Sequence, residues 1–228
     1  MANQNIIVHD IFEIFASTTD RGLTYSQLMN QSIPDNNNIL ELGQGLTEKQ
    51  IGNIIDRGYI LQDIKNITKE EKEYVHKVNE NNVIITVPEI LEEKKFSSNL
   101  MFNHEMDLVA DHITGLHIPA VILIESARQK MLSVFNRFFA QKTNPTRFTI
   151  LSINSKFYGF VFPIGAQLVT EVINIEQKKN FLKATLDIKI MQCGIVRTCV
   201  EISFMCCDED IAIKKEKNSY AQLINLQL

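Results

Sequence analysis

The run Pro119-Ala120-Val121-Ile122-Leu123-Ile124-Glu125-Ser126-Ala127-Arg128-Gln129 constrains this chain more than any other stretch. Proline has a fixed φ and no N–H to donate, so it suits the first turn of a helix. Ala120 to Ile124 is apolar all round, and such a helix must be covered on every side. Glu125, Arg128 and Gln129 then fall at i, i+3 and i+4, within reach of one another on one side of the helix. Charged groups beside so apolar a run are costly to bury unless they are paired or put to use. The pattern predicts a long helix over Pro119 to Ala140, with Lys130, Ser133, Asn136 and Arg137 carrying its second half out into solvent.

What covers that helix is written after it. Leu182, Ala184, Leu186, Ile188 and Ile190 alternate with Lys183, Asp187 and Lys189. Val196, Thr198, Val200, Ile202 and Phe204 repeat the alternation against Arg197 and Glu201. Period-two patterning of this kind marks half-buried antiparallel strands, and Cys193-Gly194 supplies a hairpin turn. Phe148–Ile153, Phe157–Phe162 and Leu168–Ile175 are further strand candidates, and Val83–Val87 is a β-branched run ahead of the helix. One helix enclosed by a curled antiparallel sheet is an α+β arrangement, and the architecture that fits is a single hotdog domain over residues 74–212, followed by a tail at 213–228.

Residues 1–70 have a different texture and read as a small helical region. Thr24-x-x-Gln27 and Thr47-x-x-Gln50 fit the capping-box pattern of a helix start, and Gly58 suits a helix C-terminus. Two short helices raise the question of nucleic acid. This segment, however, holds five Lys and Arg against nine Asp and Glu, a net −4, the wrong sign for a phosphate backbone. The whole chain of 228 residues is also at −4, with a pI near 5.8. Neither nucleic acid nor a membrane is expected as a partner, since no apolar run approaches the roughly 20 residues that span a bilayer. The four cysteines, Cys193, Cys199, Cys206 and Cys207, form no Cys-x-x-Cys pair. They are expected as free thiols of a cytoplasmic protein, and neither they nor the histidines have metal-ligand spacing. No metal or other cofactor is expected.

Gly115-x-His117-x-Pro119, continued through the apolar run to Glu125-x-x-Arg128-Gln129, resembles the helix signature of the A-factor biosynthesis (AfsA-type) hotdog family. Val75-His76-Lys77 followed by Asn82-Val83-Ile84-Ile85-Thr86 resembles the segment that opens such domains. Phe157-x-x-x-Val161-x-Pro163-x-Gly165-x-x-Leu168 is similar to a strand-turn-strand pattern of many hotdog enzymes. The resemblance spans residues 74 to 208. It implies transfer of a β-ketoacyl group from an acyl carrier protein or acyl-CoA to the hydroxyl of a small phosphorylated acceptor such as dihydroxyacetone phosphate. Proteins of this type usually carry two hotdog repeats; one is found here, which implies that two chains pair as a homodimer. More distantly, the helix resembles that of β-hydroxyacyl-carrier-protein dehydratases, in which His112 and Glu125 would match a catalytic His and carboxylate.

The candidate catalytic residues are Glu125, Arg128 and His112, with Gln129, Asp111 and Gly115 as substrate-binding candidates. The Arg128 fork matches a phosphate or carboxylate. Glu125 would act as general base, its pKa raised by the apolar flank of Ile124 and Ala127 while Arg128 pulls it down. Asp111 could orient the ring of His112. A buried Glu125–Arg128 pair that only fixes helix register accounts for the same residues without chemistry. Two other functions stay open: a dehydratase or thioesterase of acyl thioesters, and a dimeric binding module without turnover.

Overall fold

The computed structural model describes residues 4–31, 39–62, 68–111, 114–139, 146–179 and 181–225. His112 lies outside them, as does the side chain of Asp111. The chain opens with β1 (Asn5–Val8), α1 (Glu13–Ser17), β2 (Gly22–Thr24), α2 (Tyr25–Asn30), β3 (Ile39–Leu42), α3 (Glu48–Asp56) and β4 (Ile60–Leu61). The four strands form a small parallel sheet in the order β2-β1-β3-β4. The N-terminal region is therefore α/β, and the helical expectation accounts for only part of it. Its strands are two to four residues long, too short to write a period. Both capping boxes form, Thr24 with Gln27 and Thr47 with Gln50.

β1 serves two cores because its side chains alternate between faces. Ile6 and Val8 join the main core, and Ile7 joins a smaller one with Leu28, Leu40 and Ile54. Gln44 fastens this region to the rest. Its Nε2 donates to the Leu100 carbonyl at 2.9 Å, and its Oε1 accepts from the Phe102 N–H at 3.2 Å.

The second sheet has six antiparallel strands in the order β5-β6-β8-β9-β10-β7. They are β5 (Glu89–Glu92), β6 (Lys95–Asn99), β7 (Thr146–Phe157), β8 (Gln167–Lys178), β9 (Phe181–Gln192) and β10 (Ile195–Asp208). Cys193 and Gly194 both take positive φ, 49° and 76°, as a two-residue turn matched to strand twist requires. Leu186, Ile188, Ile190, Val200, Ile202 and Phe204 are all fully buried; each stabilises the fold by about 1.5–3 kcal/mol relative to exposure. Val83–Val87 is not a strand; Ile85 and Thr86 make only isolated bridges, and the sheet begins with the β5–β6 hairpin. Phe157 ends β7, and the residues after it to Phe162 run outside the sheet.

A short helix, α4 (Asp107–Asp111), precedes α5 (Ala120–Phe138), which lies against the sheet with Pro119 at its N-cap. This is the helix predicted from the sequence, with Ile122 and Leu123 buried and Asn136 and Arg137 partly exposed as expected, but with departures at both ends. Ala120 and Val121 are exposed, whereas Lys130 and Ser133 are wholly buried. The apolar start is covered on fewer sides than its composition requires, and the polar second half lies under the segment at Lys72–Val75 and the end of the sheet. The tail also differs: Glu209–Asn225 forms a further helix, α6. Among the described residues no helix is long and apolar enough to cross a membrane.

Candidate active site

The exposed part of α5 presents Val121, Glu125 and Arg128 at i, i+4 and i+7, one face of the helix. Arg128 grips Glu125 with a fork, Nε to Oε2 at 2.7 Å and Nη2 to Oε1 at 2.8 Å. Lys77 adds its ammonium at 2.8 Å from Oε1, and Gln129 Nε2 donates to the same oxygen at 2.9 Å. Burial alone would push the Glu125 carboxyl up. The donors from Arg128, Lys77 and Gln129 outweigh it and hold the group down to about 2. The shift thus runs opposite to the one suggested by the apolar flank, because three donors converge on one carboxylate.

Gln129 is completely buried. Besides Glu125, its Nε2 donates to the Asn82 carbonyl at 2.7 Å and its Oε1 accepts from the Ile84 N–H at 3.0 Å. It ties α5 to the 82–84 segment and leaves little capacity for a ligand.

Gly115 stands apart from this cluster. It has φ of +74°, a Cβ there would meet the Ile14 side chain at 3.1 Å, and its carbonyl accepts from the Phe15 N–H at 3.0 Å. Its conformation serves contact with α1. His117 packs on the Phe160 ring, centroids 4.6 Å apart, and its Nδ1 lies 3.3 Å from Thr114 Oγ1. With Ala120, Leu123, Phe157 and Tyr158 it lines an apolar cleft of about 330 Å³ at the start of α5.

Lys77, a member of the Glu125 cluster, and its chain neighbour His76 escape sequence spacing. Lys77 and His76 come from the turn after Val75, which is fully buried in the core. His76 has a left-handed backbone, φ 55° and ψ 49°. Its ring meets Phe148 edge-on at 5.5 Å, and its Nε2 lies 3.4 Å from Asn136 Nδ2. Burial and the charge of Arg128 hold its pKa below the usual 6.5. The sequence signal for both residues was the Val75-His76-Lys77 segment, which carried no chemistry until the fold set it beside α5. Among the described residues no group of three or more His, Cys, Asp or Glu is placed to hold a metal.

The A-factor biosynthesis hotdog domain matches residues 61–208. The chain belongs to this family. The matched segment includes the whole Glu125 cluster and both hotdog-type elements, α5 and the six-stranded sheet. No curated protein matches the sequence significantly. Among solved structures the chain is similar to a mutant thioesterase from Pseudomonas aeruginosa (10% identity, TM-score 0.40, covering 54% of this chain and 81% of that one). It is also similar to the conserved protein PA5202 of the same organism (11%, TM-score 0.43, 60% and 99%). A mutant thioesterase from Staphylococcus aureus gives 12% identity and a TM-score of 0.37, with 53% and 91% covered. At these values the likenesses carry no functional argument.

Proposed function

We propose that the chain is an acyl-thioester enzyme that moves a β-ketoacyl group from an acyl carrier protein or acyl-CoA to the hydroxyl of a small phosphorylated acceptor, dihydroxyacetone phosphate or a close analogue. The observation that carries this reading is the sequence of surfaces along α5. An apolar cleft at its start and the exposed Val121 lead to a cluster in which Arg128 and Lys77 face the single carboxylate of Glu125. An acyl chain suits the first part. A phosphate suits the second, where two cations against one anion leave a positive charge. On this reading the N–H groups at the start of α5 would polarise a thioester carbonyl. Glu125, held near 2, would shape and orient the cationic pair, while Gln129 would brace the helix.

A second copy of the chain suits the neighbouring edge. β7 pairs only with β10 among the described strands, and Ile150, Leu151, Ile153 and Phe157 along it are exposed. An exposed apolar edge strand is a ready template for pairing. On this reading the homodimer would shelter the open face of α5.

The test is incubation of the purified protein with a β-ketoacyl-CoA, with and without dihydroxyacetone phosphate, followed by mass spectrometry. An acylated phosphate ester is expected, with the KM for the acceptor raised about 10–100-fold in Arg128→Ala. Free β-keto acid irrespective of acceptor would instead make the protein a thioesterase. An untouched thioester in both arms would sink the enzymatic reading.

A further inference from the structure

Transfer of an acyl group to a hydroxyl needs a group that accepts the hydroxyl's proton, and Glu125 is poorly suited. It sits near 2 and already takes hydrogen bonds from Arg128, Lys77 and Gln129. A base that weak gains little from proton transfer at neutral pH.

We propose that His76 is the proton acceptor of this site, held next to Lys77 of the Glu125 cluster by a left-handed turn. The assignment rests on the acyl-thioester reading above.

The backbone supplies the first argument. The chain must reverse between Val75, fixed in the core, and Lys77, fixed on Glu125. The reversal is closed by the Lys77 N–H donating to the Lys72 carbonyl at 2.9 Å. It places His76 in the left-handed region, at the end of a helical turn where glycine or asparagine is the common occupant. A side chain other than glycine is uncommon in this region, and backbone strain of this kind clusters at functional sites. The ring is therefore the feature to explain.

The ring's surroundings supply the second. Phe148 of β7 holds one edge. Asn136 of α5 has one amide proton committed to the Tyr74 carbonyl at 3.0 Å and turns the other toward His76 Nε2 at 3.4 Å. That donor leaves Nε2 as the unprotonated, basic nitrogen and puts the ring proton on Nδ1. The contact is long, and an incoming hydroxyl can replace it. From α5 the charged neighbour is Arg128; β7 contributes the uncharged Phe148; along its own segment Lys77 is turned to Glu125. Partial burial and the charge of Arg128 keep the resting ring uncharged, which leaves the Nε2 lone pair available to a hydroxyl.

In the step itself, Nε2 takes the hydroxyl proton as the oxygen bonds to the thioester carbonyl carbon. Collapse of the tetrahedral adduct breaks the C–S bond, and the imidazolium returns the proton to the departing thiolate. The acyl group moves from sulfur to oxygen with no net change in protons or electrons.

The experiment compares wild type, His76→Asn and His76→Gly, all full length, with β-ketoacyl-CoA and dihydroxyacetone phosphate. Both replacements tolerate a left-handed backbone, and thermal melting checks that they fold. The expected loss in kcat is about 10²–10⁴-fold, with the acceptor KM moved less than roughly threefold. Added imidazole should restore His76→Gly, at a rate that follows the unprotonated fraction of the imidazole. Retention of wild-type kcat in both variants overturns the assignment and leaves the acyltransferase reading intact. So does a loss that imidazole does not restore and that comes with a raised KM, since His76 then only positions the acceptor. A wild-type protein that leaves the thioester unconsumed removes the acyl-thioester reading itself, and this assignment with it.

Discussion

The helix α5 carries two ionic clusters, and they are built differently. Toward its start, Glu125 meets Arg128, Lys77 and Gln129 at the edge of an open face, with the Arg128 and Lys77 side chains still 25% and 22% exposed. Toward its end, Glu70 lies with its carboxylate entirely buried. It accepts from Arg137 Nε at 2.9 Å, from Ser133 Oγ and from the Glu71 N–H at 2.7 Å. Arg137 in turn stacks over Tyr74 at 4.0 Å. One turn before Ser133, Lys130 is sealed with a single hydrogen bond, to Ser98 Oγ at 2.7 Å. The sealed cluster fastens the segment near residue 70 to the helix. The open one keeps cations near water, where they can still exchange partners. A carboxylate–guanidinium pair thus takes its role from what covers it, since the same pair costs far more to break when solvent cannot replace a lost partner.

The largest effect that would test this contrast is at Glu70. Glu70→Ala strands Arg137 and Ser133 and should cost about 3–5 kcal/mol in urea unfolding. A loss below 1 kcal/mol would mean that water reaches the cluster.

Glu125→Gln comes next. The folded carboxyl sits at about 2 against 4.5 when free. A lowered acid stabilises the fold above the free value, and that stability disappears as pH falls from about 4.5 to about 2. The wild type should therefore exceed Glu125→Gln by about 2–3 kcal/mol at neutral pH, the two converging near pH 2. Curves that stay parallel across that range would show the carboxyl to be untuned.

At pH 7, Lys130→Met should have the smallest effect, and the opposite sign. Burial holds the Lys130 amine at about 7 against an ordinary 10.5. The unfolded chain therefore binds the proton more tightly, and wild-type stability should climb as pH rises from about 7 to about 10.5 relative to the variant. At pH 7 the methionine should stabilise by roughly 1–3 kcal/mol. A variant less stable than wild type at pH 7 would show the amine to be well satisfied where it lies.

How far the sequence carries depends on which signals are local. The β9–β10 hairpin was legible because alternation and the Cys193-Gly194 turn are written within neighbouring residues. The Glu125–Arg128–Gln129 grouping was legible for the same reason, being set by helical spacing. Lys130 and Ser133 misled, because a polar residue in a helix reads as exposed unless the partner that covers it is known. Here Ser98 and Glu70 lie 32 and 63 residues away in sequence. Lys77 and His76 were hidden in the same way, by partners far away in sequence. The parallel strands β1 to β4 were hidden by brevity.

Gln44 has a consequence for how this molecule comes apart. Its amide satisfies the buried backbone at Leu100 and Phe102 from a strand region more than fifty residues earlier, while Ile6 and Val8 fill the same core as α5. Cutting the chain after Gln62 would leave that backbone without partners and that core with a hollow. The two sheets should melt in one cooperative transition, and a hotdog half expressed alone should be a partly unfolded chain rather than a smaller native one.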